Sequence, residues 1–302
     1  MGYPPIEQPY YYQPQYDVND PLVTPPGAGV SGWVSRISDT FKRSWRSVFS
    51  IIFVTQFLPG IGIALVAVGI IVAVLISNPD LPDRLIGPDP FGDSPPPPRV
   101  TIAVGAALVA GGVALLLVSL WVQVVGIAAS TWAIVREAAT GQPAGLGAAL
   151  RYGVRRGFGL VGWSLLGGLL FVLGIVACVL PGIYVAFGLA MLAPVVIFQR
   201  QGLGASFGAL HRNALTIIVR VIIVYGVVQF ASGIVSTLFQ IPMAVLTDPA
   251  TILAFAAGGG VVLALVMLPL QAIQIIGTLL TYAEQRAASA PLTTAQLADE
   301  LG

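Results

Sequence analysis

Side chains able to do chemistry are scarce in this chain. Among 302 residues there is one His, His211, and one Cys, Cys178. A nucleophile–base pair needs a base within reach of a Ser, Cys or Thr, and no His accompanies a Ser inside an apolar run. No H-E-x-x-H zinc motif occurs, and no Asp lies in an apolar run to form an aspartyl dyad. Cys178 sits among apolar residues, where a thiol behaves as a small hydrophobe. Asp80, Asp83, Asp89 and Asp93 occupy a Pro-rich stretch whose spacing matches no calcium loop. With a single Cys, a disulfide within the chain is excluded. The expectation is therefore a protein that is not an enzyme, with no metal and no cofactor. His211, next to Arg212, reads as a polar residue at a membrane interface.

What remains is polar chemistry inside apolar sequence. Arg220 lies about two turns into an apolar run. An ionisable residue there is a functional candidate by default, although this one is close enough to the end to snorkel. Gln271 and Gln274 are three apart, so they share a helical face just beyond Pro269. Gln56, Gln123, Gln229 and Gln240 are further amides in apolar runs. Such amides either line a solute path or join helices through hydrogen bonds worth roughly 0.6–2 kcal/mol. The candidate intramembrane polar site is Arg220, Gln229, Gln271 and Gln274.

The elements that must position these residues follow from composition. The chain is 56% hydrophobic and 9% charged, with a mean hydropathy of +0.89. Soluble domains carry about 25% charged residues, so an ordinary soluble protein is excluded. Crossing roughly 30 Å of hydrocarbon takes about 20 apolar residues in a helix. Six runs qualify: 48–77, 100–135, 158–180, 183–198, 215–241 and 251–283. Pro59, Pro194 and Pro269 lie inside them and should kink their helices. Pro181-Gly182, between the third and fourth runs, reads as a tight hairpin turn.

Charge sets the orientation. With six spans and the N-terminus inside, twelve basic residues face the cytoplasm, and only Arg84 and Arg99 lie outside. This is a strong positive-inside asymmetry, and it places both termini in the cytoplasm. Lys and Arg (14) nearly balance Asp and Glu (13), so no nucleic-acid partner is implied. Thirteen of the basic residues are Arg, and this with the abundant Ala and Gly fits GC-rich coding in a bacterium, hence a multi-pass protein of its cell membrane. Residues 1–30 hold seven Pro, five Tyr and three Gln. They read as a disordered cytoplasmic tail and a possible protein-partner segment. Residues 287–302 read as a short cytoplasmic tail, with one short helix over 294–300.

A repeated unit is visible. Val34, Ile37, Phe41, Trp45 and Val48 recur at intervals of three and four, which makes one apolar helical face. Arg36, Lys42, Arg43 and Arg46 lie off it. Residues 145–155 (GLGAALRYGVR) and 202–212 (GLGASFGALHR) align at constant offset. The reading is three hairpins in an all-α, six-span protein, each hairpin preceded by a basic interfacial helix. Arg36, Lys42, Arg43, Arg46, Arg151, Arg155, Arg156 and Arg212 are the candidate contacts to anionic lipid headgroups. The tetrapeptide LPGI occurs at 58–61 and again at 180–183, out of register with this repeat.

The run LPGI at 180–183, APVVIFQ at 193–199, GLGASF at 202–207 and Arg212 resembles the membrane domain fused to some bacterial glycerophosphoryl diester phosphodiesterases, which also has stand-alone multi-span relatives. The resemblance covers roughly 110–285. Gln199 departs from it, standing where an acidic residue is usual, and Ala209-Leu210 replaces a more polar segment. The resemblance implies a membrane fold and a link to lipid metabolism, and it transfers no catalytic residue. Two functions are consistent with the sequence. The leading reading is a non-enzymatic protein organising partners or lipids at the cytoplasmic face, and the alternative is a transporter or lipid-handling permease. They differ in one observable. A transporter brings Arg220, Gln229, Gln271 and Gln274 together on a mid-membrane cavity, whereas an organiser pairs them helix to helix with no cavity.

Overall fold

The computed structural model describes residues 17, 19–25, 27–77, 99–245 and 249–302. Most of the Tyr/Pro-rich tail, together with Arg84 and the four loop carboxylates Asp80, Asp83, Asp89 and Asp93, lies outside the described residues. Every described element is helical. Apolar runs this long leave the backbone no other partner than itself, and a helix satisfies each peptide group locally. The elements are α1 (Gly29–Ile52), α2 (Leu58–Ser77), α3 (Arg99–Thr140), α4 (Leu146–Ala177), α5 (Val179–Ala190), α6 (Leu192–Pro194), α7 (Leu203–Arg212), α8 (Ala214–Val245), α9 (Pro249–Ala287) and α10 (Thr294–Leu301). Wider π-turns occupy Phe53–Phe57, between α1 and α2, and Val195–Gln199, after α6. Five helices are long and apolar enough to cross a membrane, and the pair Val179–Ala190 and Leu192–Gln199, bent by 42°, makes a sixth if counted as one span.

Adjacent helices run antiparallel. A side chain at Gly153 would meet Ala129 and one at Gly157 would meet Val125, which pairs α3 with α4. Gly167 faces Leu189 and Gly174 faces Gly182, pairing α4 with α5. Gly277 faces Val224, pairing α9 with α8. The turn between α4 and α5 falls at Cys178, whose backbone is extended (φ −176°, ψ 150°). Pro181 and Gly182, expected to form that turn, are instead in the first turn of α5. A proline there forfeits only an N–H that a helix start leaves unpaired anyway. Gly182 is needed for packing, since a Cβ would lie 3.0 Å from the backbone N of Ile175 and closer still to its side chain. Gly182→Ala is expected to cost about 1–3 kcal/mol through overpacking. Gly168→Ala, with open space around it, is expected to change stability by less than about 0.5 kcal/mol and to favour the helix. Thermal unfolding in detergent reads both.

The repeated LPGI now has a physical account. At Leu58 it opens α2 after the first π-turn, and at Leu180 it lies in the first turn of α5 after Cys178. The settings differ: Pro59 lies inside one unbroken helical run, and Pro181 lies in the first turn of a new helix. The N–H of Leu58 reaches back five residues to the Phe53 carbonyl, so Pro59 is absorbed by a π-turn. The GLGA repeat marks equivalent helix starts, with Gly145 and Gly202 as the N-caps of α4 and α7.

Three expectations need correction. The basic stretches before the first two hairpins are continuous with the helices that follow. Nothing in 48–57 or 155–160 breaks a helix, whereas Asn213 (φ −138°, ψ 49°) does separate α7 from α8. The α1 stripe is rotated. Trp33, Thr40, Ser44, Val48, Ile51 and Ile52 are buried, while Val34 and Trp45 are nearly half exposed, because α1 packs against both α3 and α9. Residues 20–24, within the stretch expected to be disordered, are docked, and the short helix expected over 294–300 is α10 and is docked too. Asp20, Leu22, Val23 and Thr24 are buried, and α10 carries a Thr293/Gln296 capping box and buries Leu297 and Leu301. The Asp20 carboxylate accepts hydrogen bonds from the backbone N–H groups of Leu22 (2.9 Å), Val23 (2.8 Å) and Thr294 (2.8 Å) and from the Thr294 hydroxyl (2.5 Å). This clasp places both terminal segments at one end of the bundle, here called the terminal end.

Candidate functional site: an amide-lined cavity

Four amides converge where the π-turn, α3 and α9 meet. The π-turn presents Gln56. On α3, Gln123, Ile127 and Thr131 are four apart and share a face. On α9, Gln271, Gln274, Ile275 and Thr278 do the same at spacings of three and four. These faces line a half-open cavity of about 280 Å³, bordered further by Leu160 and Ser164 of α4, Leu189, Ala190, Leu192, Ala193 and Pro194 at the α5–α6 bend, and Tyr225 of α8. Gly126 lets the π-turn lie against α3, since a Cβ there would fall 2.5 Å from Thr55 Oγ1 and 3.3 Å from Gln56 Nε2. The lining contains no Asp, Glu, Lys, Arg or His.

The amides are not glued to one another. Gln271 Oε1 is buried without a hydrogen-bond partner. The hydroxyls of Thr131 and Thr278 donate to backbone carbonyls one turn earlier, at Ile127 and Gln274 (2.8 Å each), which leaves their lone pairs to the cavity. Pro194 has no N–H to offer the Ala190 carbonyl four residues back, and the helix bends beside the cavity wall. Broken helices and π-turns recur where membrane proteins bind ligands. Gln274 is ten residues from Glu284 on α9, which is about 15 Å along a helix.

Of the expected polar site, only Gln271 and Gln274 reach this cavity. Gln229 lines a separate shallow groove on α8 with Phe230, Ile234 and Leu238. Arg220 does not snorkel. It is 4% exposed, pairs with Glu284 at 2.5 Å, and lies 4.8 Å over the Trp33 ring. Its Nε and Nη1, Glu284 Oε2, Trp33 Nε1 and Thr24 Oγ1 are buried without hydrogen-bond partners. A cavity of about 130 Å³ adjoins Glu284, Thr24, Thr216 and Thr281. Glu284 was missed because it falls one residue beyond its apolar run. Antiparallel neighbours bring two residues near the same ends of α8 and α9 to one depth, and that was the available signal.

A second polar layer closes the terminal end. Tyr282 receives Gln199 Nε2 (3.2 Å) and Arg286 Nη1 (3.5 Å), and stacks on Phe198 at 5.2 Å. Arg286 bridges to Glu300 at 2.6 Å, and Gln285 donates to the Ala209 carbonyl. Together these tie the second π-turn, α7, α9 and α10. Another missed carboxylate, Glu137, is buried and accepts from the Ser47 hydroxyl and the Ala144 N–H. His211 has both ring nitrogens engaged, by the Phe207 carbonyl (2.7 Å) and the Tyr184 hydroxyl (3.1 Å).

The basic candidates divide. Lys42, Arg43, Arg46, Arg151, Arg155 and Arg212 are exposed. Arg156 is half-buried and lies over the Tyr152 ring at 5.9 Å. Arg36 turns inward, and its guanidinium donates to the Asp20 carbonyl, so it secures the N-terminal strap. Compared with known proteins, the chain matches no family model, no curated protein and no solved structure.

Proposed function

We propose that this chain is an integral membrane protein that binds a small polar ligand in the amide-lined cavity and passes it through or within the bilayer, as a transporter or lipid-handling permease. The observation that carries this reading is the convergence of Gln56, Gln123, Gln271 and Gln274 on one cavity with no hydrogen bond between them. Structural glue requires pairing. Gln56, Gln271 and Gln274 are half-buried and Gln123 is exposed; the buried, unpartnered Gln271 Oε1 is costly unless a ligand or water meets it. In this reading the chain crosses the membrane six times as three hairpins, with the bent α5–α6 segment as the fourth span. The excess of basic residues on the terminal side puts both termini in the cytoplasm. No covalent chemistry is assigned to it.

The exposed Lys42, Arg43, Arg46, Arg151 and Arg155 favour an accompanying role, contact with anionic headgroups at that face. They are also the support for the organiser reading, in which the chain gathers lipids or protein partners. One experiment separates the two: extraction into native lipid discs, followed by mass spectrometry. A transporter is expected to carry a small molecule or lipid that is lost in the Gln271→Ala/Gln274→Ala double variant, with the unfolding midpoint of the ligand-free protein unchanged. A protein partner lost on deleting residues 1–30, together with a double variant that only loses stability, would overturn the transporter reading.

A further inference from the structure

We infer that the cavity takes an uncharged, polyhydroxylated molecule of about monosaccharide size, as a free solute or as the head group of a neutral glycolipid. This rests on reading the cavity as a ligand site. Charge excludes ions first. The lining holds no ionised side chain, so a bound ion would have its charge uncompensated in a low-dielectric interior. The nearest pair on α9, Glu284 with Arg220, is about 15 Å away along the helix, and its two charges neutralise each other.

The amides then exclude a purely apolar occupant. It would leave the buried Gln271 Oε1 unpaired, at about 1–3 kcal/mol. A carboxamide offers both an acceptor oxygen and a donor NH₂, and a hydroxyl is likewise both donor and acceptor. Four amides with the hydroxyls of Thr131, Ser164, Tyr225 and Thr278 therefore match a ligand bearing several hydroxyls. The lining also carries the apolar side chains of Leu160, Leu189 and Leu192, contributed by other helices than α9. This suits the C–H face of a sugar ring. The volume of about 280 Å³ is below the range of drug-sized pockets, which starts at roughly 300 Å³.

The test uses the full chain in lipid nanodiscs and labelled D-glucose, with unlabelled D-glucitol, D-gluconate and D-glucosamine as size-matched competitors. The expected result is saturable glucose binding displaced by glucitol but not by the two charged analogues. It should weaken by about tenfold or more in Gln274→Leu and stay unchanged in Gln229→Leu. If instead only discs doped with a monoglucosyl diacylglycerol raise the unfolding midpoint, and Gln274→Leu removes the rise, the head-group source is identified. Gluconate or glucosamine binding as tightly as glucose, with loss in Gln274→Leu, overturns this inference and leaves the cavity as a ligand site. If no probe, free or lipid-borne, binds in a Gln274-dependent way, both readings are overturned.

Discussion

Glu284→Leu is expected to destabilise the bundle by about 3–5 kcal/mol, the cost of leaving a buried charge without its partner. Arg220 is fixed from two sides, by the Glu284 carboxylate and by the Trp33 ring. Removing the carboxylate leaves a guanidinium that is 4% exposed with no anion in contact. Cation–π attraction to Trp33, on the order of 2 kcal/mol when desolvated, does not replace the ion pair. Glu284→Gln keeps an acceptor oxygen and is expected to lose less. The decisive comparison is Arg220→Leu/Glu284→Leu. Replacing a buried pair with hydrophobes is often neutral or stabilising, so the double variant should recover most of the stability lost by the single one. Unfolding in mixed micelles measures all three. A single variant within 1 kcal/mol of the parent, a threshold on the order of an exposed pair, would show that Arg220 reaches water after all.

The second large effect is at the terminal clasp. Asp20 is 5% exposed and accepts four hydrogen bonds, two within its own strap and two from Thr294. Asp20→Ala strands three buried backbone N–H groups. At about 1–3 kcal/mol for each unsatisfied group, and with water able to reach a displaced strap, a loss of roughly 2–4 kcal/mol is expected. The loss should be local. Hydrogen exchange at Leu22, Val23 and Leu297 should accelerate, while that at Leu279 and Leu280 stays protected, because strap and α10 open as a unit distinct from the bundle core. Uniform acceleration across α9 would contradict that division.

Much of the architecture was legible in the sequence and much of the detail was not, for identifiable reasons. Apolar runs gave the all-helical class and helices long enough to span, because length and hydropathy suffice for that. They did not give helix rotation. Val34 and Trp45 fit a three-four apolar stripe as well as any residue, yet Trp33 is the one fully buried, since burial depends on neighbours α3 and α9 that hydropathy does not see. Pro181-Gly182 is a strong turn signal in water. Here it reads differently, because a proline costs little in the first turn of a helix and a glycine allows two helices to touch. At the site, the Gln271–Gln274 spacing pointed to a shared face, and that face lines the cavity. Gln229 carried the same residue type without the placement. Gln56 reaches the cavity from a π-turn, where a 3.6-residue periodicity no longer predicts direction. Asp20 looked like part of a polar tail, and nothing local announces a partner at Thr294, 274 residues away.

Cysteine reactivity reads directly whether the proposed amide-lined cavity is open to water. The chain has a single Cys, so Cys178→Ser supplies a thiol-free background. Only a thiolate reacts with a methanethiosulfonate reagent, and a thiolate forms only where water solvates it. Gln274→Cys, in the cavity lining, is predicted to label rapidly in intact proteoliposomes with a small hydrophilic reagent. Leu238→Cys, exposed on the apolar outer face of α8, is predicted to label slowly. Equal, slow labelling at both positions would show a cavity closed to water and overturn the proposed ligand site.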